Sequence, residues 1–458
     1  MSKRLPTTTL MIMAALAIAF AFMCGGCEKK GTGKKSGTEK KVNLAKDIKK
    51  IRAKQKWSPR KKAVRKEIGA QPPADLREHM ELRMNRELLE KSFELGANFL
   101  VVNQTPEGNF NYMYDWIEKK YFQGDSQVRQ AGALWGVALC YKYRPTTQLR
   151  ESLDKGLKFW FDATVAGPDN TLFPQYKSDR QTSAGTVALV ALSLIEYLTA
   201  GQPIEPEYEK QLRAKLDGYL AFLQWLQLDN GHVAKDYFVS TKNKSNTSSP
   251  YYDGETLLAW CKAARLLQME KLVPTIERAA RSMAETYTVR AWRKDRDSAQ
   301  TKGFYQWGSM AFTEYYFAKW KDYQLYGDIT MALGNWMIHV HRTLRKGRNH
   351  AYALEGLISS YRIAQDRGDV AAMVDLHYVI DRSLYKLTAW QIGGPLADQC
   401  KFLVDNPTDD PLAIGGVMNA KRSGPFSPSD TKHELRIDVT QHQMHAVTMA
   451  LEYVYAKP

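Results

Sequence analysis

The chain has 458 residues, with 65 Lys and Arg against 49 Asp and Glu, for a net charge of +16. That length can bury a large core without covalent staples, and five cysteines are too few and too scattered for a disulfide framework. The positive charge suggests nucleic acid or an anionic surface only until it is mapped along the chain.

The N-terminus reads as an export signal. Lys3 and Arg4 precede an apolar run from Leu10 to Met23, which is short for a membrane span and has the layout of a secretory leader. It ends in Cys24-Gly25-Gly26-Cys27, which resembles a bacterial lipobox, although Cys24 stands where a leucine-like residue is usual. The resemblance implies a leader over residues 1–26 and a diacylated Cys27 as first mature residue. Between Glu28 and Glu67 there are 17 Lys and Arg against 4 Asp and Glu, and the folded body is left with 46 basic and 45 acidic residues. The basicity therefore belongs to a tail. Residues 27–73 are expected to be a disordered tether, too poor in apolar side chains to fold alone. Such a tether is drawn to anionic headgroups or wall polymer by about 1 kcal/mol per basic residue near the surface. The expected location is the cell envelope, with the membrane as a partner and nucleic acid excluded.

From residue 74 to 458 the pattern is helical. Amphipathic stretches such as 86–102, 149–163 and 207–226 alternate with stretches that are apolar nearly all round, such as 127–143 and 183–198. Six of the apolar kind are expected, starting at or near residues 127, 183, 254, 308, 352 and 439, most beside a glycine (Gly132, Gly185, Gly254, Gly308, Gly356). The sixth pair is interrupted by a Gly/Pro/Asp-rich insert from about Gln391 to Ile437. Six outer/inner pairs predict an all-α (α/α)6 toroid whose inner helices begin around one rim. Cys140 and Cys261 fall inside inner helices as apolar filler.

The turns Phe99-Leu100…Gln104…Gly108 and Phe222-Leu223…Gln227…Gly231 resemble those in the toroids of terpenoid cyclases and protein prenyltransferases, but an Asp-x-Asp-Asp run is missing. The layout over residues 84–458 resembles the six-hairpin glycosidase-like superfamily. That resemblance implies a carbohydrate-active toroid and matches no catalytic motif, so the rim residues must supply the chemistry.

Tyr251-Tyr252-Asp253-Gly254-Glu255 puts two aromatics for stacking on sugars and two candidate catalytic carboxylates at one helix start. Asp125 and the pair Asp438/His442 are further catalytic candidates; His442 and His445 share a face, but a third metal ligand is not evident, and neither a metal nor a cofactor is expected. Arg129 offers a planar fork for a uronate, and Gln130, Tyr112, Gln306, Trp307 and Glu355 complete a binding ring. His433 precedes the last helix. Two carboxylates across the mouth would suit glycoside hydrolysis, whereas a lyase or epimerase would use Tyr or His as base and acid. The expected substrate is a polysaccharide or oligosaccharide, and the non-catalytic alternative is a glycan- or peptide-binding toroid.

Replacing Cys27 with Ser is expected to move the protein from the membrane to the soluble envelope fraction. Retention in the membrane with an unprocessed N-terminus would refute the lipid anchor.

Overall fold

The computed structural model describes residues 42–57, 82–176, 179–419 and 434–456. The apolar leader, Cys27, most of the basic segment and His433 lie outside the described residues. Among the described residues, no helix is long and apolar enough to cross a membrane.

After α1 (Leu44–Lys54), twelve long helices follow: α2 (Arg86–Val102), α3 (Gln127–Tyr143), α4 (Thr147–Asp162), α5 (Ala184–Leu198), α6 (Pro206–Leu226) and α7 (Pro250–Leu266). The second half contains α8 (Val273–Ala284), α9 (Ala299–Phe317), α10 (Tyr323–His339), α11 (Ala351–Asp366), α12 (Val370–Thr388) and α13 (Ile437–Tyr453). The odd-numbered members from α3 to α13 form the inner ring. Each packs on the next, and α13 closes against α3. The outer helices α4, α6, α8, α10 and α12 lie on the inner helix next to them in sequence, while α2 lies on α13.

Composition explains which layer each helix joins. Every residue of α5 from Ala184 to Tyr197 is buried, as a helix covered on both sides requires. Its outer neighbour α6 buries one stripe, including Leu212, Leu216, Tyr219, Leu220 and Leu223, and turns its charges outward. Inner helices alternate with outer ones that return the chain, so all six inner N-termini lie at one rim.

Short strands brace the loops of that rim. Strands β1 (Met113–Asp115) and β2 (Lys120–Tyr121) pair as a hairpin. A second hairpin joins β3 (Thr164–Ala166) to β4 (Leu172–Pro174), and a third set aligns β5 (Gln181–Ser183), β6 (Asp236–Phe238) and β7 (Asn243–Lys244). Strand β8 (Glu434–Arg436) pairs antiparallel with β1, Arg436 opposite Met113 and Leu435 opposite Tyr114. Residues about 320 positions apart in sequence are thereby registered beside one another at the rim.

The fold is the (α/α)6 toroid that the periodicity implied, with two differences. The fourth inner helix starts at Ala299, nine residues before Gly308. Gly308 does not open that helix; it marks a crossing, where a side chain on Gly254 would meet Trp307 Cβ at 2.5 Å and Gly308 N at 3.3 Å. Residues 42–57 also differ from the expected tether. Leu44 and Ile48 of α1 are buried, Asp47 pairs with Arg293 at 3.0 Å, and Gln55 donates to the Ala332 carbonyl at 3.1 Å. The lysine-rich composition hid a short apolar stripe that needs the outer layer to pack on. The start of the insert is likewise built into the body, since Gln391 donates to the carbonyls of Ser92 (2.9 Å) and Gly415 (3.1 Å).

Both ends of the toroid meet on α12. Buried Asp381 accepts from the backbone N–H of Arg83 and Met84 at 3.1 and 2.8 Å, and from the Tyr455 hydroxyl at 3.0 Å. Arg86 also donates to the carbonyls of Leu451 and Tyr455 at 2.9 and 2.8 Å.

Gly254→Ala tests the crossing. Its added methyl has to displace the start of the Trp307 side chain and the α9 backbone, so an overpacking cost of about 1–3 kcal/mol is expected. Chemical denaturation should show the loss as a lower midpoint with an unchanged slope.

Candidate active site

Five inner helices contribute to one cluster at the rim. On α7, Tyr251 and Tyr252 precede Glu255 by four and three residues, so all three share a face. Glu255 is buried, and its Oε2 has no hydrogen-bond partner among the described residues. Burial pushes its carboxyl up to about 8, with the charge of His442 working against the rise. Gly185 of α5 makes room for this face, since a side chain there would meet the Tyr252 ring at 2.5 Å and Glu255 Oε2.

Glu355 of α11 is fully buried, and its Oε1 accepts from His442 Nδ1 at 3.0 Å and His445 Nδ1 at 2.9 Å. Only an N–H can donate to a carboxylate, so this contact fixes Nδ1 of each imidazole as the protonated nitrogen and leaves Nε2 for other work. Burial alone would raise the Glu355 carboxyl, but the imidazoles outweigh it and draw it down to about 2. Burial opposes the charge of His442, whereas Glu355 and then Asp438 raise its basicity. The walls are aromatic: the Trp307 ring lies 5.9 Å from that of His442 and 5.4 Å from Trp135, which stands 4.6 Å from His445.

A charged group lies beside this floor. Arg436 donates to Asp438 through Nε at 2.6 Å and through a terminal nitrogen at 3.0 Å, a two-point contact. Arg129 Nε stands 3.4 Å from the same carboxylate, and Arg129 also donates to the Tyr112 hydroxyl. Burial would raise the Asp438 carboxyl, but Arg436 and Arg129 hold it below its ordinary value. The Arg129 side chain remains 41% exposed. Pairing of β1 with β8, continued by Ile437 N donating to Tyr112 O at 3.1 Å, sets these residues side by side.

The structure therefore gathers Glu255, Tyr252, Trp307, Glu355, His442, Asp438, Arg129 and Tyr112. It sends Asp253, Asp125 and Gln130 elsewhere. Asp253 is two residues from Glu255, which on a helix turns it to the far side. There it accepts from His232 Nδ1 (2.6 Å), Val233 N (2.8 Å) and the Tyr287 hydroxyl (2.5 Å), and ties α7 to the outer layer. Asp125 accepts from Ser126 N (2.7 Å), Gln130 Nε2 (2.8 Å) and the Tyr176 hydroxyl (2.8 Å), an anchor for the loop before α3. The buried Gln130 amide makes two 2.7 Å bonds to the Phe110 backbone, which occupy both its oxygen and its nitrogen. Gln306 is buried within α9. Sequence reading gives no role to Arg436 or Trp135, and weighs His445 only as a metal ligand beside His442. The Arg-x-Asp spacing of Arg436 and Asp438 at a helix start was the available signal. Among the described residues, no group of three His, Cys, Asp or Glu is placed to hold a metal ion.

No family model matches the chain, and no curated protein matches it. Solved structures do. A sugar epimerase from a ruminal bacterium aligns with a TM-score of 0.54 at 10% identity, covering 79% of this chain and 98% of that one. The cellobiose 2-epimerase of Bacillus thermoamylovorans gives 0.54 at 11% identity over 79% and 98%. An unsaturated glucuronyl hydrolase specific for heparin gives 0.54 at 10% over 81% and 98%. At such identities the likeness is one of fold alone, the (α/α)6 toroid.

Glu255 gives the site a signature in stability. A carboxyl raised by folding favours the protonated state, so its stabilisation is present at acid pH and is lost as pH rises from the ordinary carboxylate range through about 8. Glu255→Gln removes this dependence. The difference in Tm between variant and parent should shift in favour of the variant between pH 5 and pH 9, and a constant difference would refute a raised Glu255.

Proposed function

We propose that the toroid is a carbohydrate-processing enzyme that moves protons on a saccharide bound at the rim, with His442 as base and Glu255 as acid. The pairing of an uncharged buried carboxyl with an imidazole oriented by Glu355 carries this reading. His442 Nε2 would accept a proton from the carbon beside the sugar carbonyl. Glu255 would return one to the resulting enediolate, so that the proton count balances and the configuration or position of the carbonyl changes. Tyr252 and Trp307 would stack on the sugar ring, and the Arg129 fork would meet an anionic substituent. The fold shared with epimerases and a glucuronyl hydrolase supports a saccharide as substrate. We further propose, from the apolar run before Cys27 and the basic stretch after it, that the protein is held at the cell envelope by a lipid on Cys27.

Hydrolysis is the second reading, favoured by the Glu255 carboxyl near 8, which suits a general acid. It needs a second carboxylate free to activate water. Asp438 is held by two guanidiniums and Glu355 by two imidazoles, so the first reading is preferred.

The test is incubation with reducing saccharides in deuterated water. Proton transfer predicts deuterium at the carbon next to the carbonyl, whereas hydrolysis predicts new reducing ends without exchange. Glu255→Gln and His442→Asn should each lower kcat by roughly 10²–10⁴-fold with little change in KM. In the parent, kcat/KM should fall as pH passes about 8, where Glu255 loses its proton. Exchange that survives both substitutions would refute the assignment.

A further inference from the structure

The loop from His339 to His350 contains Arg342, Arg345, Lys346 and Arg348 and no acidic residue. It leads into α11 and so lies at the same rim as Glu355. Arg342, Arg345 and Arg348 are exposed. The loop is held in place: Asn349 N donates to Asn419 O at 2.7 Å, and Lys386 Nζ donates to Lys346 O at 2.5 Å. From the first turn of α9, exposed Lys302 faces it, its ammonium 6.0 Å from the Tyr352 ring centre. Burial first, then Lys346 and Arg348, push the Lys302 ammonium toward its neutral form, and the attraction of Asp297 is weaker than either repulsion. Asp297 is itself engaged with His341 at 2.9 Å. Like charges are thus gathered beside two aromatic rings, because Tyr251 packs under Gly303, where an added Cβ would lie 3.0 Å from its ring. Tyr251 is 49% exposed.

Helix spacing connects this patch to the candidate active site. Tyr251 is four residues before Glu255, Tyr352 three before Glu355, and Lys302 four before Gln306, each a same-face step. Crowded cations that folding does not neutralise are costly to keep together, and an incoming anion relieves that cost.

We propose that Lys302, Lys346 and Arg348, with Tyr251 and Tyr352, form an extended subsite for an anionic polysaccharide. Charged groups of the polymer would seat on the cations, and its rings on the tyrosines. The inference deepens the proposed function, whose saccharide it identifies as part of a polyanionic chain. Arg129, across the ring on α3, would take a second anionic group of the same chain.

The experiment uses the full chain, with polygalacturonate as the carboxylate probe, heparin as the sulfate probe and dextran as the neutral one. The basic stretch between Glu28 and Glu67 is common to all variants, so differences between variants report the patch. Replacing Lys302, Lys346 and Arg348 together with Gln should weaken at least one anionic probe by about tenfold and reduce its salt dependence, with dextran unchanged. The arm affected identifies the anion. The double change of Lys346→Gln and Arg348→Gln, confined to the loop, gives the same test without touching a helix. Lys271→Gln, which removes a cation paired with Asp217 on the outer surface, should change nothing. Equal affinity of parent and variants for both polyanions would overturn the proposal, as would an equal loss in Lys271→Gln or a loss seen only with anionic lipid vesicles. If binding falls as expected but no saccharide is ever turned over, the catalytic reading fails and the subsite stands.

Discussion

A ring of helices depends on its seam. Here α3 and α13 meet across nearly the whole length of the folded domain, and they meet closely because α3 carries no side chain at Gly132 or Gly136. A Cβ on Gly136 would stand 2.5 Å from Gln441 Cγ, and one on Gly132 would reach the Gln441 amide at 3.6 Å. That approach sets the rotation of α13, and the rotation puts His442 and His445 inside the ring. One turn closer to the rim, Asp438 falls between Arg436 and Arg129. Both halves of the site thus depend on one seam of small residues.

The chemistry then follows from unequal desolvation of three carboxylates. Glu355, Asp438 and Glu255 are all buried at the rim, but only the first two have cationic partners in contact. Paired carboxylates remain ionised and serve as fixed charge; Glu255, without one, keeps its proton near neutrality. A site with fixed negative charge under an imidazole and a neutral acid nearby can supply and remove protons without a metal. Glu255 and His442 come from different helices, so the spacing between them is set by the packing of the ring, not by loop conformation.

Sequence reading recovered the architecture because the contrast between one-faced and all-round apolar helices survives without any knowledge of contacts. It misplaced details where one residue type serves two purposes. Glycine suits a helix start and a helix crossing alike, and Gly308 marks a crossing two turns inside α9. Asp253 and Glu255 looked equivalent as neighbours, yet a step of two on a helix separates inside from outside. Gln130 and Asp125 have the right chemistry, but the Phe110 backbone occupies the first, and Ser126 N, Gln130 and the Tyr176 hydroxyl occupy the second. A composition average over residues 27–73 concealed Leu44 and Ile48, because two apolar residues on one stripe hardly move a mean dominated by lysine.

The clasp at Asp381 has a consequence for how the chain comes to be folded. Its partners are the residues just ahead of the first toroid helix and Tyr455, near the last residue described. During synthesis that clasp can be completed only once both Asp381 and Tyr455 have emerged. Without α13, α3 and α11 each lack the neighbour that covers one flank in the closed ring. Closure joins residues 365 positions apart, which makes it slow relative to local hairpin docking. The α12 and α13 pair of a second copy fits the same gap, so exchange between copies is the misassembly to expect of such a ring.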